Sequence, residues 1–271
     1  WIGQNKVYEL QLQPSANGKT LKIQWSYDVD YGWNLMDRFG GLYINGDPAQ
    51  TVQLSLNNLA ALLAGFPNVD YKEQQIDVVD VAAKPVFLVE AKSKRSLDDV
   101  AEATNIAMTE IQAAMAKAGV TAVGPRMTIT TSWGDEDYTF SVAVPVSASV
   151  ITLDGQSYTL TTPVPAPPAA DTAEPVTPVV LNPGEKDRHG LLVIDATVRG
   201  ALWYQGKALV SEYTGSPAAL PLLRVNQKAY AETHGYRYND TGIGRPWDEL
   251  TSAPDAAEDQ QTFKVYLPIE L

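Results

Sequence analysis

The sequence contains no cysteine. Disulfides, thiolate nucleophiles and cysteine metal sites are excluded, and the redox compartment is left open. Histidine is almost as scarce. There are two, His189 and His234, and no His/Asp/Glu set has metal-ligand spacing, so no metal site is expected. His234 falls at a helix end, where it answers the helix dipole, and His189 falls in a loop. Positive charge is in deficit: 20 Lys and Arg stand against 32 Asp and Glu, for a net charge of −12 and a pI near 4.6. A nucleic-acid face needs clustered Lys and Arg to neutralise phosphates, so no nucleic-acid partner is expected. No apolar run approaches the roughly 20 residues of a membrane-spanning helix. The glycine-rich pieces Gly40-Gly41 and Gly242-Ile-Gly244 lack a phosphate-loop pattern, and no Gly-x-Ser-x-Gly elbow is present. No cofactor is implied.

What is present is an ordinary globular balance, 45% hydrophobic and 19% charged residues, in a length that suits one large or two small domains. The chain starts at Trp1, which leaves room for a signal peptide or membrane anchor ahead of it.

One stretch is written twice. Residues 139–146 read Thr-Phe-Ser-Val-Ala-Val-Pro-Val and residues 262–269 read Thr-Phe-Lys-Val-Tyr-Leu-Pro-Ile. Each alternates like a half-buried strand and ends at a proline, which cannot donate to a ladder. Around each echo lies the same order of elements. In the first half, residues 76–92 read as strand. A helix follows from a capping box at Ser96-Leu-Asp-Asp99 to Ala118, closed by Gly119. A strand over Met127 to Trp133 precedes the echo. In the second half, Ala208 to Tyr213 is a strand and Ser216-Pro217 opens a helix with Ala219, Leu222, Leu223, Asn226, Ala229 and Tyr230 on one face. Gly235 closes it, and Trp247 to Leu250 precedes the second echo. Glu90 and Glu212 lie 122 positions apart, and Pro145 and Pro268 lie 123 apart. That near-equality marks an internal duplication.

Between the halves, residues 163–183 hold seven prolines and read as an extended crossing, after a short hairpin around Asp154-Gly155. Leu191 to Val198 reads as a further strand. Ahead of the duplication, residues 6–13 and 20–28 form an alternating hairpin, and Pro48 to Ala64 a helix stopped by Gly65 and Pro67.

The second half carries Gly206-Lys-Ala-Leu-Val-Ser-Glu-Tyr-Thr-Gly-Ser216, Arg245-Pro-Trp-Asp-Glu249 and the closing echo. On these residues, 76–271 resembles the GyrI-like (gyrase-inhibitor-like) effector-binding family. The resemblance implies an α+β fold of tandem strand–helix–strand–strand modules, 76–146 and 191–271, with pseudo-twofold antiparallel sheets and a central cleft for a small, apolar or cationic molecule. Residues 1–66, through the Trp25 strand and the Leu56–Leu63 helix, resemble the C-terminal end of a START-like polyketide cyclase (SRPBCC) domain. In bacterial proteins such a domain can precede a GyrI-like one behind a membrane segment. The resemblance thus carries the expectation of a bacterial, periplasmic or membrane-anchored protein.

Glu90 and Glu212 alternate in phase with apolar neighbours, so each is either a cleft carboxylate or a sheet-edge group reaching solvent or a Lys. The resemblance places a cleft acid near Asp248 and Glu249. Asp248 stands where the family more often has Glu, and Leu250 where it often has Tyr. Trp133, Trp203, Tyr236, Trp247 and Tyr266, with Glu90, Glu212 and Asp248, make the candidate ligand-binding set, since aromatic walls and a carboxylate hold cations or flat apolar molecules. Several of these aromatics can equally be core. Two other functions stay open. One is a hydrolase using Glu212 with Tyr213 or Tyr266 as acid and base. The other is an accessory subunit whose modules are packing surfaces, with a protein partner or a membrane association through a preceding segment.

Overall fold

The computed structural model describes residues 4–15, 20–33, 35–36, 38–39, 46–65, 67, 69–134, 136–164, 181–238 and 245–270. Most of the proline-rich crossing lies outside them. The chain divides into two compact units, 1–66 and 67–271.

In the first unit, β1 (Gln4–Pro14) and β2 (Leu21–Asp30) form an antiparallel hairpin in which Leu10 faces Trp25 and Leu12 faces Ile23. Helix α1 (Gly46–Ala64) follows.

The second unit is α+β. Module one comprises β4 (Lys84–Lys94), α2 (Leu97–Ala118), β5 (Met127–Trp133) and β6 (Asp137–Pro145). Module two comprises β11 (Gly206–Thr214), α3 (Leu220–Thr233), β13 (Trp247–Leu250) and β14 (Thr262–Glu270). Added to these are β3 (Asp77–Val81), the hairpin β7 (Val150–Leu153) and β8 (Gln156–Thr159), β9 (Leu192–Val193), β10 (Arg199–Trp203) and β12 (Arg237–Tyr238). One sheet runs β3-β11-β14-β13-β5-β6-β4-β10-β9, with β12 also on β14. Its middle reads β11-β14-β13 and then β5-β6-β4, one order mirrored by the other. The pseudo-twofold seam is the β13–β5 pairing, where Asp248 faces Thr128.

The echo strands occupy the same register. Pro145 faces Val86 and Ser141 faces Glu90; Pro268 faces Ala208 and Lys264 faces Glu212. The stretch that reads as one strand over 76–92 breaks at Ala82 and Ala83. β3 pairs with β11 of module two and β4 with β6 of module one. Likewise β10 pairs with β4, and the chain then turns into β11. Each module's leading strand therefore edges the other module. Pro85, the second residue of β4, stands just past this corner and is the local signal that the two strands part there. β10 is the counterpart of β3, and the strand expected over 191–198 shrinks to Leu192–Val193.

Both helices cover one face of the sheet. α2 starts where Ser96 Oγ accepts from the Asp99 N–H at 3.1 Å and ends at Gly119, whose φ is 66°. Its apolar stripe, Ala107, Ile111, Ala114 and Met115, packs on Phe87, Val89, Phe140, Val142 and Val144. Burying Ile111 alone stabilises by about 2–3 kcal/mol. α3 is preceded by a 3-10 turn, Pro217–Ala219, capped by Ser216. Of the expected face Ala229 is buried and Leu223 and Tyr230 pack on apolar clusters, whereas Leu222 is 62% exposed; Leu220, Gln227 and Ala231 complete the inward side. Polar residues hold part of that face. Gln227 Nε2 donates to Val265 O at 2.8 Å and to Ser211 Oγ at 3.1 Å, which satisfies the buried amide nitrogen, while its Oε1 is buried without a partner.

Candidate functional site

The helix face of the sheet holds a cavity of about 910 Å³ at the seam between the modules. Each module contributes a wall. Leu97, Asp98, Val100, Ala101, Thr104 and Asn105 come from the first turns of α2. Pro217, Ala218, Leu220, Pro221 and Arg224 come from the 3-10 turn and the first turns of α3. The floor is the sheet: Arg126, Thr128, Tyr138, Asp248, Leu250 and Phe263.

Asp248 reaches this floor because it alternates with Trp247 and Glu249, which face the other side. It is 3% exposed, and its Oδ2 accepts from Nη2 of Arg224, one α3 turn into the cavity wall. Burial pushes the Asp248 carboxyl above its ordinary range, and the guanidinium offsets this only in part. The pair is not saturated. Asp248 Oδ1, Arg224 Nε and Arg126 Nε are all buried without a hydrogen-bond partner. Burial pulls the Arg126 guanidinium below its ordinary value. Tyr138 stands beside them, its hydroxyl 3.0 Å from Thr130 Oγ1, and burial raises its phenol.

Three of the aromatic candidates, Trp203, Trp247 and Tyr266, lie on the opposite face of the sheet. Trp247 stacks on Tyr266 with centroids 4.7 Å apart and planes 8° apart, and Trp203 meets Trp247 edge-on. They belong to an apolar cluster with Val86, Leu88, Met127 and Ile129. Glu249 is held among them. It accepts from Lys84 Nζ at 2.7 Å and lies 3.4 Å from the Tyr266 hydroxyl. Burial, then the Glu249 charge, pushes the Tyr266 phenol up to about 12. A groove of about 510 Å³ opens beside it, lined by Val79, Val81, Lys84, Val210, Glu212, Lys264 and Tyr266.

The eight candidate residues are thus divided between surfaces. Asp248 alone lies in the seam cavity. Trp203, Trp247, Tyr266 and Glu212 lie on the far face. Glu90 is exposed there, opposite Ser141. Glu212 is exposed and pairs with Lys264 at 3.0 Å, the solvent-reaching arrangement weighed above. Tyr236 packs on the α3 side against the Leu209–Ala231–Leu267 cluster. The side chain of Trp133 lies outside the described residues. Glu212 and Tyr213 do not meet, because neighbours along a strand point to opposite faces; Tyr213 packs beside Leu220 and Phe263. Arg126 and Arg224 are the cavity groups that sequence reasoning passed over. For Arg224 no apolar periodicity could flag it. Arg126 had a signal, the Gly124-Pro-Arg126 punctuation that precedes β5. Among the described residues no group of His, Asp and Glu is placed to hold a metal ion.

No protein-family model and no curated protein matches the chain. Among solved structures it is similar to an EcmrR–DNA complex, at 9% identity and a TM-score of 0.49, covering 87% of this chain and 70% of that one. It is also similar to a hydrolase from Listeria innocua, at 12% identity and a TM-score of 0.43, covering 75% and 100%. A third is SAV2435 bound to tetraphenylphosphonium, at 10% identity and a TM-score of 0.39, covering 72% and 94%. These are distant likenesses, and the reading of the site rests on its own geometry.

Proposed function

We propose that the second unit binds a small molecule in the seam cavity, in the manner of a GyrI-like effector-binding domain. One observation carries this reading: a cavity of about 910 Å³, walled by both modules, has three buried and unpartnered polar atoms at its floor, on Asp248, Arg224 and Arg126. Buried polar atoms are nearly always satisfied, so a floor with three orphans is built for groups supplied from outside. The walls supply apolar contact through Val100, Leu220, Leu250 and Phe263, which suits a ligand with an apolar body. The site needs no reacting group. Glu212 and Tyr266, the pair of the hydrolase reading, line the groove on the opposite face instead.

A thermal-shift screen of the full chain against apolar and charged compounds tests the reading. A ligand at a hundredfold excess over its Kd stabilises by about 2.7 kcal/mol and raises the transition temperature. Ala101 is exposed and lines the cavity mouth, so Ala101→Trp fills the opening without disturbing the core. This variant should keep the unliganded transition and lose the ligand-induced shift. A shift that survives Ala101→Trp would move binding elsewhere.

A further inference from the structure

We infer that the molecule bound in the seam cavity is an organic anion with an apolar body, its negative group received by Arg126 and Arg224. This rests on the cavity being a binding site and goes on to fix the ligand's charge. The floor carries two guanidiniums and a single carboxylate. The Asp248 charge is already offset by Arg224 through Oδ2, so the floor as a whole carries an excess of one positive charge. Arg126 has no such partner. Its Nε is buried and unsatisfied, and no carboxylate among the described residues pairs with it. The guanidinium is half-buried with its Nε cut off from solvent, and its planar fork suits a carboxylate or a related oxyanion.

Two further features act in the same direction. The first turns of α2 and α3 both face the cavity, so the electropositive ends of two helix dipoles lie near the anion. Arg224 Nε offers a second unpartnered donor in the lining of the same cavity. The acids at the rim, Asp98 and Glu258, are exposed and screened by solvent, whereas the floor charges act at low dielectric. The remaining orphan, Asp248 Oδ1, is an acceptor and asks for a donor, such as a ligand hydroxyl or a water.

The test uses three probes with one body: 2-naphthoate, 2-naphthylmethanol and 2-naphthylmethylammonium, titrated calorimetrically into the full chain. The naphthoate should bind about tenfold or more tightly than the other two, the scale of a charge-assisted hydrogen bond. Arg126→Gln should remove the preference, bringing naphthoate affinity down to that of the alcohol. Arg126→Lys should recover part of the difference. The preference within the unaltered chain decides the matter even if a variant fails to fold. Equal or tighter binding of the ammonium, or naphthoate affinity unchanged in Arg126→Gln, overturns the inference. If the alcohol binds and naphthoate gains nothing, the anion inference falls while the cavity remains a binding site. If none binds at millimolar concentration, both fall.

Discussion

Asp248 and Arg224 hold each other in a place where neither charge would be stable alone. The carboxylate is 3% exposed and the guanidinium side chain 13%. Removing one member leaves the other buried and uncompensated. Asp248→Asn should therefore destabilise by about 3–5 kcal/mol in urea denaturation. The double variant Asp248→Leu with Arg224→Met should lose less than that single change, because an apolar pair leaves no charge behind. Additive losses would show that the two groups do not act as a pair. This residue scale is where the sequence is least legible. Asp248 could be named from a resemblance, but its partner could not. Arg224 sits 24 positions upstream on a helix whose apolar pattern points elsewhere. An ion pair across two elements leaves no periodic trace in either one. The aromatics mislead for a related reason. Their crowding in the second half was legible, but the face each takes depends on strand phase. Trp247 and Asp248 are adjacent and so must part.

Elements are more legible, because their causes are local. α2 begins and ends at the residues its capping box and closing glycine mark. Gly119 has a φ of 66° and nothing within 4 Å of where a Cβ would stand, so the penalty for Gly119→Ala is conformational alone. It should be about 1–2 kcal/mol by chemical denaturation. A neutral change would mean that the helix end relaxes into another conformation. α3 is legible in position and, Leu222 apart, in much of its packed face. Gln227 and Arg224 replace apolar residues on its inward face, so Leu222, exposed at 62%, was assigned to the wrong side. The strand reading over 76–92 fails at Ala82 and Ala83, just ahead of Pro85, where β3 and β4 take partners in different modules.

At the scale of the whole molecule, the duplication was legible from one echo, and the ladders repeat it register for register. The exchange of leading strands was not, since nothing in the sequence says which module a strand will edge. The four apolar clusters all lie within 67–271, the unit that also holds the whole of the long sheet. Residues 67–271 expressed alone should unfold in a single cooperative transition, with circular dichroism and tryptophan fluorescence coincident. Loss of cooperativity on removing 1–66 would show that the second unit borrows its stability.

The strand exchange also sets an order in time. Residues 77–81 find their partners only in residues 206–210, and β4 meets β10 only after the proline-rich crossing has been made. A chain leaving the ribosome must carry module one with both of those pairings open until module two arrives. Closing such distant contacts is slow, and unpaired edges recruit other chains meanwhile. The same arrangement that joins the two modules makes this a protein that finishes folding late, and its yield should depend on what shields it during synthesis.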